Sequence, residues 1–164
     1  MYNNTDINNL KNYILSLPLD LNHTIEEYEY KNPVLTLVDA VLSINRKYES
    51  FVKPRIKLIE DSNIDSFDKL DIELRKGSEH FASLWNYNHP QRVELLRNLL
   101  QYFLDYKKSK NIKNDLEVLK KWGDESSVEK FEAWNIQGIA FTTYQYLRML
   151  CGANTVKPDI HILR

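Results

Sequence analysis

The chain holds one cysteine, Cys151, among 164 residues. One thiol cannot close an intrachain disulfide or supply the set of thiolates an iron–sulfur cluster needs. It points to a reducing compartment such as the cytoplasm. Glycine and proline are scarce, at four and five residues, which excludes a low-complexity chain or a long flexible linker. Apolar runs are only a few residues long, far below the roughly 20 that a membrane span requires. The opening MYNNTDINNLKN has neither the basic start nor the apolar centre of a secretory signal. Net charge is only −1, which argues against indiscriminate coating of nucleic acid by the whole surface. Histidines 23, 80, 89 and 161 have no ligand spacing with Cys151 or an acidic pair, so no metal is expected. Walker loops, dinucleotide fingerprints and G-x-S-x-G elbows are absent.

What is present reads as helix. Apolar residues make up 43% of the chain, and a chain of this length buries about 70% of its unfolded surface. Leu35, Val38 and Leu42 share a helical face from Asn32 to about Tyr48, with Asn32 as N-cap and Pro33 at the first helical position. Val93, Leu96, Leu100 and Phe103 stripe a helix from Pro90 to about Lys107. Ser126 and Glu129 have capping-box spacing ahead of Phe131 and Trp134. A further helix runs from Thr142 to Cys151, with Gly152 as its stop. Shorter helices are expected over Asp6–Leu15, Pro54–Asp61 and Ser66–Lys76. Strand alternation is nowhere sustained. The fold class is all-α.

The most specific stretch runs from Trp134 to Arg164. Gly138 lies between the helix ending near Trp134 and the one starting near Phe141, where a positive φ costs glycine nothing. The backbone N–H groups of Gly138, Ile139 and Ala140 can then face outward at a helix mouth, where unpaired donors and the helix dipole favour an anion. A glycine-capped helix connection is the plain alternative. Asp159 follows Pro158 in the pattern Asp-x-His-Ile-x-Arg and can cap a helix running on to Arg164. Upstream, Val41-Leu42-Ser43-Ile44-Asn45 ends an early helix, and Leu84-Trp85-Asn86-Tyr87-Asn88-His89 precedes Pro90. Asn86, Asn88 and Pro90 make the second run a loop, which leaves Trp85 and Tyr87 as aromatics that can meet a partner.

In combination these segments resemble the helix-hairpin-helix DNA glycosylases, the superfamily of endonuclease III and the alkyladenine and oxoguanine glycosylases. The resemblance spans roughly residues 32 to 164 and is closest at the C-terminal end. It implies a helical barrel over residues 32–152, with the helix-hairpin-helix at about 126–152. Residues 1–31 then form an N-terminal helix and connection belonging to a second lobe, and 153–164 begin the acid-bearing helix. That lobe is expected to be reduced, with three alternatives open: the sequence is a piece of a longer chain, a protein partner or a second copy completes the lobe, or the site is a minimal and more open one. By the same resemblance, Gly138, Ile139, Ala140, Thr142 and Thr143 hold a DNA phosphate, largely through backbone. Asn45, Trp85, Tyr87 and Lys157 face the DNA or the extruded base, and Asp159 is the catalytic carboxylate. The partner implied is double-stranded DNA containing a modified base. No cofactor is implied beyond a monovalent cation compatible with the hairpin.

The departures define the chemistry. Thr142 stands where bifunctional members carry a Schiff-base lysine, and only an amine forms that iminium. Ala140 replaces the second hairpin glycine and Gln137 the usual proline. The function implied is therefore a monofunctional glycosylase that hydrolyses the N-glycosidic bond. A non-catalytic DNA-binding or assembly module that keeps the phosphate grip is the alternative, and a purely structural helical protein with Asp159 as a cap is the third. Basic groups at Arg46–Lys47, at Lys53, Arg55 and Lys57, and at Lys107–Lys110 read as solvated faces.

Overall fold

The computed structural model describes residues 4–17, 30–134 and 136–155. Eight α-helices occur among them: α1 (Asn4–Ser16), α2 (Pro33–Leu42), α3 (Lys53–Asp61), α4 (Phe67–Arg75), α5 (Ser78–Leu84), α6 (Pro90–Ser109), α7 (Asp115–Glu125) and α8 (Phe141–Leu150). No strand occurs among the described residues.

The core is built around α2. Asn32 caps it, accepting from the Val34 N–H at 2.9 Å while its amide donates to Ile64 O at 2.9 Å. Pro33 follows at the first helical position, where the missing N–H costs nothing. All ten residues of α2 are buried, because α3, α4, α6, α7 and α8 all pack on it. Leu37, Val38 and Val41 are wholly shielded from water, and each such side chain contributes about 1.5–3 kcal/mol. The helix ends at Leu42 instead of near Tyr48. Asn45 adopts φ 56°, a left-handed conformation that no α-helix contains. A five-residue π-helical turn, Tyr48–Val52, then leads straight into α3.

The long helix α6 packs on α2, α4, α5 and α7 through Val93, Leu96, Leu99, Leu100 and Phe103. One carboxylate ties three elements together. Asp115, at the start of α7, accepts from the Phe67 N–H of α4 at 2.8 Å and pairs with Lys107 of α6 at 2.6 Å. Helix α7 meets α8 closely, since a Cβ added at Gly123 would lie 2.6 Å from Cys151 O.

The expected helix over Ser126–Trp134 does not form. Helix α7 occupies residues up to Glu125, and Ser126 becomes its C-terminal cap, donating from Oγ to Gly123 O at 2.8 Å. The remaining residues make only a 3-10 turn, Val128–Lys130. Phe131 and Trp134 then pack on Tyr144 of α8, with ring centroids 5.3 and 4.8 Å away. The element facing α8 is thus a turn with an aromatic anchor, not a second helix of a symmetrical hairpin.

Candidate nucleic-acid interface

Gly138 sits in a tight turn closed by the Ile139 N–H, which donates to Ile136 O at 3.2 Å. Its φ is +92°, the left-handed region that glycine alone enters freely. Ile139 is buried and anchors the turn, whereas Gln137, Gly138 and Ala140 are exposed. Ala140 precedes α8 in an extended conformation and offers no side-chain cap. The N–H groups of the first turn of α8 are therefore left to outside acceptors. Thr142 is half-buried at that end. Thr143 is 8% exposed, so only its backbone can take the phosphate-binding part expected of it.

The turn rests on Leu95 of α6, whose Cδ1 would lie 3.4 Å from a Cβ at Gly138. Between them opens a cavity of about 480 Å³, lined by His89, Gln91, Arg92, Asn98, Gln137 and Gly138 among others. It brings the first turn of α6 next to the glycine turn. His89 precedes α6 without capping it through its side chain, and its Nδ1 is shielded with no hydrogen-bond partner. Arg92 donates from Nη2 to Ile44 O at 3.1 Å, which fixes the end of α2 beside this cavity.

Asn45 is exposed on the left-handed turn beyond α2. Tyr87 is half-buried, accepting from Arg46 Nη2 at 3.0 Å and packing edge-on against Phe51, with centroids 4.9 Å apart. Trp85 corrects the expectation. It is fully buried, packs edge-on on Phe81 and donates from Nε1 to Tyr87 O at 2.8 Å. The asparagines around it do form a loop, but the indole turns inward to anchor that loop and presents nothing to a partner. Lys157 and Asp159 lie outside the described residues.

A buried carboxylate within α2 has no signal in the residue pattern. Asp39 is 1% exposed. It accepts from Tyr30 at 2.7 Å, from Ser43 at 2.6 Å and from Tyr146 of α8 at 3.1 Å. Tyr30 Oη also lies 3.1 Å from Tyr48 Oη. Burial first, and the Asp39 charge second, push the Tyr30 and Tyr146 phenols well above the ordinary tyrosine range. Arg148 is the other concealed charge. It donates to Ser126 Oγ, Ser126 O and Gln145 Oε1 at 2.9, 3.0 and 2.6 Å, fastening α8 to the end of α7. Neither Asp39 nor Arg148 stands in a motif that marks it as buried, and only three-dimensional neighbours identify them.

Among the described residues no group of His, Cys, Asp and Glu is arranged to hold a metal ion, and no helix is long and apolar enough to cross a membrane. Comparison with known proteins adds no relative: no family model, no curated protein and no solved structure matches the chain.

Proposed function

We propose that the chain binds double-stranded DNA through the Gly138 turn and the first turn of α8, and removes a modified base by a monofunctional mechanism. The observation that carries the reading is the exposed, left-handed Gly138 directly ahead of a helix with no side-chain cap. Beside it lies a cavity that Arg92, Gln91 and His89 share with it. Backbone donors hold a phosphate there without reference to base identity.

A base inside a duplex must be extruded before it is attacked, at a cost of a few kcal/mol. Cleavage of the N-glycosidic bond builds positive charge on the sugar, and a carboxylate held away from water stabilises that charge and orients the incoming water. Asp159 is the residue assigned to this part. Thr142 has no amine, so the product is a free base and an intact abasic strand.

The test is a panel of labelled duplexes carrying different modified bases, incubated with the full chain and read with and without alkali. Strand breakage that needs alkali, on at least one duplex, is the expected result. Duplex binding without base release on any of them supports the non-catalytic module instead, a reading favoured by the single 3-10 turn standing in for the first hairpin helix.

A further inference from the structure

Two basic groups that are separate in sequence come together in the fold. The π-helical turn Tyr48–Val52 folds the chain back, so that Arg46 and Arg55 share the rings of Phe51 and Tyr87. The Arg46 guanidinium lies 5.2 Å from the Phe51 centroid and 5.8 Å from that of Tyr87. Arg55 lies 3.8 and 5.6 Å from the same two rings. Each guanidinium bonds only to neutral oxygens: Arg46 to Asn45 O and Tyr87 Oη, Arg55 to Phe51 O and Asn86 O. Among the described residues neither pairs with a carboxylate. Lys47 and Lys53 are exposed alongside, and Glu49, paired with Lys53, is the acid within this segment.

A purely structural cluster of cations normally recruits acids, because like charges held together repel. Here the rings supply the attraction, and a cation over an aromatic face keeps its full charge. The patch is also continuous with the Gly138 cavity. Tyr87 lies 5.3 Å from His89, centroid to centroid, and His89 and Arg92 line that cavity. Arg92 in turn bonds to Ile44 O, adjacent to Asn45.

We infer that Arg46 and Lys47, backed by the Phe51–Tyr87–Arg55 stack, form a second phosphate contact, on which the same DNA duplex lies as it leaves the Gly138 turn. This rests on the proposed DNA binding and adds to it a place for the neighbouring backbone. Bonds from Arg46 to neutral oxygens exchange readily for bonds to phosphate, which adds an opposite charge and a bidentate geometry that a carbonyl or hydroxyl oxygen lacks. The contact carries no sequence information.

The test is a salt series with the full chain and a labelled duplex that has no modified base. Each phosphate contact contributes about 0.9 to the slope of log affinity against log salt. The Arg46→Gln, Lys47→Gln double variant should bind more weakly at low salt, with the slope reduced by about 1 to 2. Arg46→Lys, which keeps the charge, should restore most of the lost slope, and Lys69→Gln on α4 should leave it unchanged. Both substituted side chains are exposed, and an unchanged melting curve confirms the fold. If the double variant keeps the full slope while Gly138→Leu weakens binding, the second contact is wrong and the Gly138 reading stands. If the unsubstituted chain binds the duplex no better than Gly138→Leu, the DNA reading falls and takes this contact with it.

Discussion

Asp39 shows how much a single side chain can organise. Its carboxylate gathers hydroxyls from the segment before α2, from the end of α2 and from α8, so its removal takes an acceptor from the buried Tyr146 and from the half-buried Tyr30 and Ser43 at once. An unsatisfied buried polar group costs about 1–3 kcal/mol. Asp39→Ala should therefore lower stability by roughly 3 kcal/mol or more, read as a shift of the urea midpoint. Asp39→Asn, which keeps one acceptor oxygen, should lose distinctly less. Equal losses for the two would mean that packing volume, not the hydroxyl network, is what matters at this position. The same network governs behaviour in alkali. The Tyr30 and Tyr146 phenols are raised by burial and by Asp39, and Tyr102, Tyr106 and Tyr144 are raised chiefly by burial. The folded state thus holds these protons more tightly than the unfolded one. The stability they contribute is fully present below the ordinary tyrosine value of about 10 and is lost as pH climbs through the folded-state values. Denaturant midpoints measured from about pH 9 to 11 should fall steadily across the upper half of that window; a flat series would contradict the assignment.

Between elements, α7 approaches the end of α8 closely. A methyl group at Gly123 would lie 2.6 Å from Cys151 O and 3.1 Å from Cys151 Cβ, and backbone cannot yield as a flexible side-chain tip can. Gly123→Ala should destabilise by about 1–3 kcal/mol despite the higher helix propensity of alanine. A gain in melting temperature would show that the two elements separate easily. The sequence made α2, α4, α6 and α8 legible where a cap and a periodic stripe coincide: Asn32 with Pro33, Ser66 ahead of Phe67, Pro90 before Val93 and Leu96, Gly152 after Leu150. Helices α5 and α7 were missed for physical reasons. Helix α5 has only seven residues and starts after Gly77 at φ 111°, too short for periodicity to emerge. In α7 the acids at 115, 117, 124 and 125 mask a buried stripe of Val118, Leu119 and Trp122 capped by Asn114. Once α7 is in place, Ser126 is no longer free to cap a following helix, so the Ser126–Glu129 spacing loses its meaning. The glycine turn was legible because a positive φ is written in residue type. The inward turn of Trp85 was not, because a loop rich in asparagine says nothing about which way its aromatic points.

For the molecule as a whole, a net charge of −1 conceals a local cluster in which Arg46 and Arg55 share the Phe51 and Tyr87 rings, while Arg92 lines the cavity beside Gly138. Under the proposed function, binding and chemistry belong to different residues, and substitution should separate them. Asp159→Asn should cut base release by orders of magnitude with duplex affinity nearly unchanged. Gly138→Leu should weaken binding to every duplex alike, since a side chain at φ +92° is strained and Leu95 stands 3.4 Å from its Cβ. Parallel loss of stability and binding in Asp159→Asn would identify the carboxylate as a helix cap. Because Thr142 cannot form an iminium, borohydride should trap no protein–DNA adduct. Trapping that persists in Lys157→Ala would place an amine elsewhere and overturn the site.

Helix α2 has no face turned to solvent. Its amides are reached by deuterium only when the surrounding helices part, so their exchange registers the opening of the entire core and not a local breath. The five exposed apolar side chains of α1, Ile7, Leu10, Tyr13, Ile14 and Leu15, mark the opposite extreme, a helix whose amides exchange by fraying. One labelling time course therefore holds two clocks. The slow one, on residues 33–42, reads out the global unfolding free energy directly, and any ligand that closes on the folded chain slows that clock in proportion to its binding.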